Sequence, residues 1–149
     1  MRIHSSVPAA LLGAALAACV EAPFQPDAER RVGVLVLYGT QPERPLAAPD
    51  TVQAGVDFTV TVTTLGGGCE RKGETETEVS GAVATVTPYD YTDVSAQVCP
   101  DVLRTFPHTT TLRFAAPGEA LLRVRGRRTG PDTPRAGVPV TLERRIVVR

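Results

Sequence analysis

The sequence predicts an all-β chain, folded as a single antiparallel β-sandwich of about seven short strands. In several segments apolar residues alternate with polar residues at a period of two, the period of a half-buried strand. Gly, Pro and Asp separate these segments at regular spacing, and no segment beyond the N-terminal apolar run has a convincing helical period. At 149 residues the chain suits one modest domain. Its core must come from Val, Leu and Ala, because aromatic residues make up 5% of the chain and Trp is absent.

The clearest predicted strand starts at Phe58, from which apolar residues alternate with threonines as far as Thr63. This alternation indicates one buried face and one solvated face. Pro88 and Pro100 are each expected to stop a later strand, because proline cannot donate to a ladder. We also expect Arg144 to kink the last strand, since it interrupts an otherwise apolar row. The other predicted strands cover residues 32–38, 82–87, 94–99, 109–114, 120–125 and 137–148.

Two segments resemble parts of a known family of domains. Pro49, a short strand at Val52, a turn at Gly55 and the alternating strand that follows resemble the early strands of bacterial immunoglobulin-like modules. The run from Phe114 to Ala120 is similar to the penultimate hairpin of such domains. The resemblance implies an immunoglobulin-like β-sandwich. The Cys-Trp-Cys arrangement of antibody domains is absent, because the chain has no Trp.

The N-terminus has the pattern of a secretory signal peptide. Arg2 is the only charge before an uninterrupted run of apolar and small residues over 7–18. That run is too short to cross a bilayer as a helix, which needs about 20 apolar residues. We therefore expect residues 1–18 to be removed, residues 19–31 to form a tether and residues 32–149 to form the domain.

The sequence Leu16-Ala17-Ala18-Cys19 resembles the lipobox of bacterial lipoproteins. The resemblance implies cleavage before Cys19, a thioether-linked diacylglycerol on its sulfur and an acyl chain on its amine. The alternative is an ordinary signal peptide with an Ala-x-Ala-like site and a chance cysteine. With the lipobox, the protein is expected to lie in the cell envelope, held to the membrane by lipid. Val20, which replaces the Asp that often retains lipoproteins at the inner membrane, favours the outer membrane if the cell is Gram-negative.

If Cys19 carries lipid, Cys69 and Cys99 are left as an even pair in an oxidising compartment. A structural disulfide is the expected outcome, and a metal site or reactive dithiol is the alternative. Cys69 follows three glycines and Cys99 precedes a proline. We therefore expect the disulfide to tie a loop near the rim of the sandwich.

Catalytic chemistry has little support in the sequence. His108 is the only histidine after the leader, and no nucleophile or acid near it in sequence forms a recognisable set with it. We expect no catalytic residues, no metal site and no cofactor besides the lipid on Cys19. The alternative is a small envelope enzyme, or the accessory domain of one, with a site assembled from scattered residues such as His108 and Asp101.

A partner-binding rim is predicted where tyrosine and aspartate cluster, because tyrosine adds rigid contact area at low entropic cost. A solvated turn and a calcium site that also includes Asp101 are the alternatives. The residues of the predicted rim are Tyr89, Asp90, Tyr91 and Asp93.

The formal net charge is zero, so no overall field attracts nucleic acid, and we expect no nucleic-acid partner. The charges are nevertheless segregated, with acids at 70–78 and mostly arginines from Arg104 onward. An arginine-bearing face is a candidate contact for anionic lipid or polysaccharide, and solvated edge strands are the alternative. The expected function is a non-enzymatic module that binds or supports an envelope protein or polysaccharide.

Overall fold

A computed structural model describes residues 27–37 and 45–149. The described residues form strands and no helix, which confirms the all-β prediction. The described residues contain ten strands rather than about seven: Gly33 separates two strands near the first predicted one, two short strands and the acidic segment are added, and the strand predicted at residues 94–99 is absent. They are β1 (Ala28–Val32), β2 (Val34–Leu37), β3 (Leu46–Ala47), β4 (Thr51–Val52), β5 (Phe58–Gly66), β6 (Glu70–Ser80), β7 (Val83–Asp93), β8 (Arg104–Leu112), β9 (Gly118–Thr129) and β10 (Val138–Val148).

Hydrogen bonds connect the ten strands into one mixed sheet. The antiparallel pairs include β5 with β8, β6 with β7 and β9 with β10. Three pairs are parallel, namely β7 with β9, β2 with β9 and β4 with β10, so the expectation of a purely antiparallel arrangement is wrong. β7 and β9 are parallel because the intervening strand, β8, pairs with β5 and not with β7. The chain then re-enters the sheet beside β7 as β9, which runs in the same direction as β7.

The inward-facing side chains of these strands form one hydrophobic core. The rings of Phe58 and Phe114 stack with centroids 5.6 Å apart, and aliphatic residues fill the remainder. The core is therefore mainly aliphatic, as composition predicts. Its buried members are Leu35, Val52, Val60, Val62, Ala84, Val86, Leu112, Phe114, Ala120, Leu122, Val124, Ile146 and Val148.

β7 passes through Pro88, where the sequence predicts a stop. The pairing of β6 with β7 shifts register between Lys72 and Thr75, opposite this position, and such a bulge accommodates a residue that cannot donate. The Pro88 carbonyl also accepts a 2.8 Å hydrogen bond from the amide of Gly33. The strand therefore continues to Asp93.

The last strand pairs without a bulge at the position near Arg144 where the sequence predicts a kink. β10 pairs with β9 from Val138 to Val148 with no shift. Arg144 occupies the inward-facing row but extends its guanidinium to the edge, where Nη2 lies 2.7 Å from Oδ1 of Asp50. A long side chain of this kind can cover apolar surface while its charge stays in water.

The folded part begins earlier than its predicted boundary at Val32. β1 starts at Ala28, which pairs with Asp93, and the Val94 amide donates to the Asp27 carbonyl. Residues 28–31 therefore belong to the sheet rather than to a tether. The predicted leader and Cys19 lie outside the described residues.

Candidate functional site

A groove of about 970 Å³ opens on the outer face of the sheet. On β7 the even-numbered residues Ala84 and Val86 point into the core, whereas Thr85 and Thr87 line the groove. Residues of β1, β6, β9 and β10 complete its walls. The groove therefore lies on the side of the sheet opposite the hydrophobic core.

The groove has a threonine floor between walls of opposite charge. Glu78 on β6 pairs with Thr85, and Glu76 pairs with Thr87. On the other side of β7, β9 presents Arg125 to the groove. Neighbouring strands lie about 4.8 Å apart, so β6 and β9 are separated by roughly 10 Å across the short threonine side chains. That separation keeps the acidic and basic walls from neutralising each other by direct contact.

Two exposed charges of the groove stay without a protein counter-ion in the part of the chain that the structure describes. Neither Glu78 nor Arg125 forms an ion pair there, and both are exposed. Arg127 differs from Arg125, because its guanidinium donates to the carbonyls of Val32 and Ala136. Burial, and then the like charge of Arg31, lowers the pKa of Arg127. Arg127 therefore supports the corner of the sheet, and Arg125 is available to a ligand.

The two tyrosines of the predicted rim lie on the outer face of β7, in a strand rather than in a rim turn. The guanidinium carbon of Arg30 lies 3.4 Å from the ring centroid of Tyr89, and that of Arg71 lies 4.7 Å from the ring centroid of Tyr91. The Tyr89 hydroxyl donates to Glu76 at 3.2 Å. These contacts fix both rings against the sheet, with Tyr89 at the edge of the groove.

Asp90 points the other way, into a buried polar cluster around His108. The His108 ring is 0% exposed, and Asp90 is 5% exposed. Nε2 of His108 lies 3.0 Å from Oδ1 of Asp90 and 3.2 Å from Oγ1 of Thr64, and Nδ1 lies 3.1 Å from Oγ1 of Thr75. These four residues come from β8, β7, β5 and β6, so the cluster connects four strands.

His108 and Asp101 are not brought together. Both ring nitrogens of His108 have partners inside the protein, whereas Asp101 is exposed in the loop before β8. Asp90 and Asp93 are separated as well, because Asp93 faces the loop that begins at Val94. Within the described residues, no group of three or more His, Cys, Asp or Glu side chains has the arrangement of a metal site.

Residues 94–103 form a loop, whereas the sequence predicts a strand over 94–99. The Asp93 carboxylate accepts hydrogen bonds from the hydroxyl and amide of Ser95 and from the amide of Ala96, which turns the chain out of β7. The Ser95 hydrogen bonds hold the pKa of Asp93 below its usual range. A disulfide joins Cys99 of this loop to Cys69 in the turn before β6, with Cα atoms 5.2 Å apart and both residues outside the core cluster. This position matches the expected tie at the rim.

Replacing Cys69 with serine should lower the free energy of unfolding by roughly 3.5 kcal/mol, because the disulfide closes a 30-residue separation in the unfolded chain. Urea unfolding of this variant and of the wild type measures the difference. One free thiol, at Cys99, should then react with a thiol reagent in the unfolded variant. Two reactive thiols in the unreduced wild-type domain would contradict the disulfide.

Comparison with known proteins finds no matching family model, no significantly similar curated protein and no significantly similar solved structure. The described residues also contain no helix of the length and apolar character needed to cross a membrane.

Sequence reasoning did not single out the groove. Thr85, Thr87 and Glu78 have no motif around them, and the alternation of Arg123 and Arg125 with leucine and valine is typical of any solvated strand face. Only the register of β6, β7 and β9 places acid, hydroxyl and guanidinium side by side. The alternation of polar and apolar residues does predict that these side chains face outward. The same alternation occurs in the other strands, so it does not distinguish the strands of the groove from them.

Proposed function

We propose that the chain is a lipid-anchored cell-envelope protein whose immunoglobulin-like β-sandwich binds another envelope protein through the outer-face groove, without catalysis. The lipobox-like sequence that ends at Cys19 supports the anchor. Both segments that resemble immunoglobulin-like modules supply core side chains, Val52 and Val60 from the first and Phe114 and Ala120 from the second, which supports that domain class.

The observation that carries the binding role is the pair of separated charges, Glu78 and Arg125, on either side of a threonine floor. A ligand that bears both a cation and an anion can satisfy both walls, and a polypeptide offers both. A polysaccharide carrying charge of a single sign would satisfy one wall only. Threonine hydroxyls on the floor can donate and accept hydrogen bonds to a main chain or to polar side chains. Complementary charge of this kind contributes specificity and speeds association.

The placement of His108 supports binding over the enzymatic alternative. A general base must reach the proton that it removes, directly or through one water. The His108 ring is fully buried and its nitrogens face Asp90, Thr64 and Thr75. The polar cluster is therefore best explained as support for the four strands that it joins.

Reversing the charge of one wall tests this function. Photo-crosslinking in intact envelopes, followed by purification and mass spectrometry, should recover a protein bound to the wild type. With Arg125→Glu its yield should fall on the order of tenfold, the equivalent of about 1.4 kcal/mol. Arg145→Glu is the control for charge reversal outside the groove, because Arg145 is an exposed arginine of β10 whose ion pair with Glu119 is also exposed and which does not line the groove.

The proposal fails if the wild type and Arg125→Glu give the same crosslinked products at the same yield. Recovery of polysaccharide in place of protein would refute the assignment of the partner. A drop in yield with Arg145→Glu equal to that with Arg125→Glu would show that general charge, rather than the groove, governs the contact.

A further inference from the structure

We infer that the loop of residues 94–103, which we name the valine loop, docks on the surface of a phospholipid bilayer and orients the domain on the membrane. This inference rests on the proposed lipid anchor at Cys19. It adds a second point of contact, made by the folded domain itself. It concerns the end of the molecule where β7 finishes and β8 begins.

The valine loop carries most of the large apolar side chains that the described residues expose. Val98 is 84% exposed, the highest value among them. Outside this loop, exposed large apolar residues in the described ranges occur singly, at Val56, Val79 and Val147. Scattered residues of that kind need no explanation, whereas several exposed apolar side chains concentrated in one short loop mark a candidate interaction surface. The four exposed apolar side chains of the valine loop are Val94, Val98, Val102 and Leu103.

The course of the chain indicates that these exposed side chains contact the membrane. The Val94 amide donates a 3.0 Å hydrogen bond to the Asp27 carbonyl, so the chain enters the fold beside the first residue of the valine loop. Seven residues lie between Cys19 and Asp27, so the eight Cα-to-Cα steps that join them span at most about 28 Å when fully extended. A lipid on Cys19 therefore keeps this end of the domain near the bilayer surface. The opposite end, where β7 starts at Val83, lies roughly 33 Å further away along the strand.

The valine loop is held in shape before it meets a membrane. The disulfide joins Cys99 to Cys69, and the Asp93 carboxylate fixes the first turn. Gly68 packs so closely on Pro100 that a Cβ at position 68 would lie 2.5 Å from the Pro100 carbonyl oxygen. A preformed loop pays little ordering entropy on binding.

The charges around the valine loop have both signs, with Asp101 inside it and Arg104 directly after it. Docking is therefore expected to depend on apolar burial rather than on anionic lipid. Such interfacial contact scales with the apolar area that enters the boundary between headgroups and acyl chains. Vesicles of zwitterionic phosphatidylcholine alone should support it.

Tryptophan fluorescence tests the inference directly, because the chain contains no Trp. The lipidated full-length mature protein with Val98→Trp is reconstituted into phosphatidylcholine vesicles, with or without bromine on the acyl chains. We expect bromine on the acyl chains to quench the emission of the Val98→Trp protein severalfold. Insertion into either kind of vesicle should protect the emission from quenching by aqueous acrylamide. Val56→Trp and Val79→Trp are matched controls, since both are exposed valines at the opposite end of the domain, and their emission should not change.

Vesicle flotation separates this inference from the anchor. If the Val98→Trp protein floats with vesicles but its emission matches that of Val56→Trp, the anchor stands and the docking is wrong. If the protein does not float, the proposed anchor fails and the docking loses its basis. Protection from acrylamide without quenching by brominated lipid would mean that a second copy of the chain covers the valine loop, which overturns the inference.

Discussion

Replacing His108 with alanine is expected to lower the free energy of unfolding by about 3–5 kcal/mol. The substitution removes a fully buried ring and leaves a cavity where β5, β6, β7 and β8 meet. It also removes the hydrogen-bond partner of Asp90, Thr64 and Thr75. Asp90 already has one carboxylate oxygen, Oδ2, that is buried without a partner in the described structure, so losing the contact at Oδ1 isolates the whole group.

Urea unfolding at neutral pH measures this effect, with Asp101→Ala as the control. Asp101 is exposed in the valine loop, so its replacement should change the free energy of unfolding by no more than about 0.5 kcal/mol. A His108→Ala protein as stable as Asp101→Ala would contradict the buried cluster. It would also reopen the enzymatic alternative, because the histidine would then be free of a structural role.

Replacing Cys19 with serine should abolish lipidation and, with it, retention of the protein in the membrane. The thioether requires a thiol, and the signal peptidase that acts on lipoproteins requires the lipidated cysteine, as the lipobox resemblance implies. Two or three acyl chains anchor firmly because each buried methylene contributes about 0.8 kcal/mol, whereas one chain alone binds marginally. Membrane fractionation and immunoblotting should show an uncleaved precursor or a protein in the wrong fraction.

The control for Cys19→Ser is the double variant Cys69→Ser and Cys99→Ser. It removes the other two cysteines, both of which belong to the disulfide, and should leave membrane retention intact. Normal retention and normal cleavage of Cys19→Ser would refute the lipobox. An ordinary signal peptide would then be the correct interpretation of the N-terminus.

Strands with a simple period were predictable from the sequence. The alternation after Phe58 places Val60 and Val62 in the core because side chains on successive strand residues point to opposite faces. Composition likewise predicts an aliphatic core. Pro88 misleads because its effect depends on a bulge in the partner strand, which is a property of the pairing and not of the local sequence.

The order of the strands was not predictable in the same way. The acidic segment lacks an apolar row, so the sequence predicts no strand there, yet it forms β6 by pairing with β7. The valine loop has the opposite problem. Its β-prone residues predict a strand, but the hydrogen bonds accepted by Asp93 and the disulfide at Cys99 hold it outside the sheet.

The candidate site was predicted only in part. The pairing of Cys69 with Cys99 followed from counting cysteines, on the expectation that Cys19 carries lipid. The sequence predicts a partner-binding rim in the tyrosine-aspartate segment, but successive residues of a strand point to opposite faces, so Asp90 is buried while Tyr89 borders the groove. The groove forms only when β9 lies beside β7, and the local sequence of neither strand predicts that long-range pairing.

The most direct test of the lipid-anchored assignment is the mass of the mature N-terminus. The protein is extracted from the membrane fraction with detergent, digested without reduction and analysed by mass spectrometry. We predict an N-terminal peptide that begins at Cys19 and carries diacylglycerol and an acyl chain, together with a peptide that joins Cys69 to Cys99. An unmodified N-terminal peptide, or one that still includes residues before Cys19, would contradict the account.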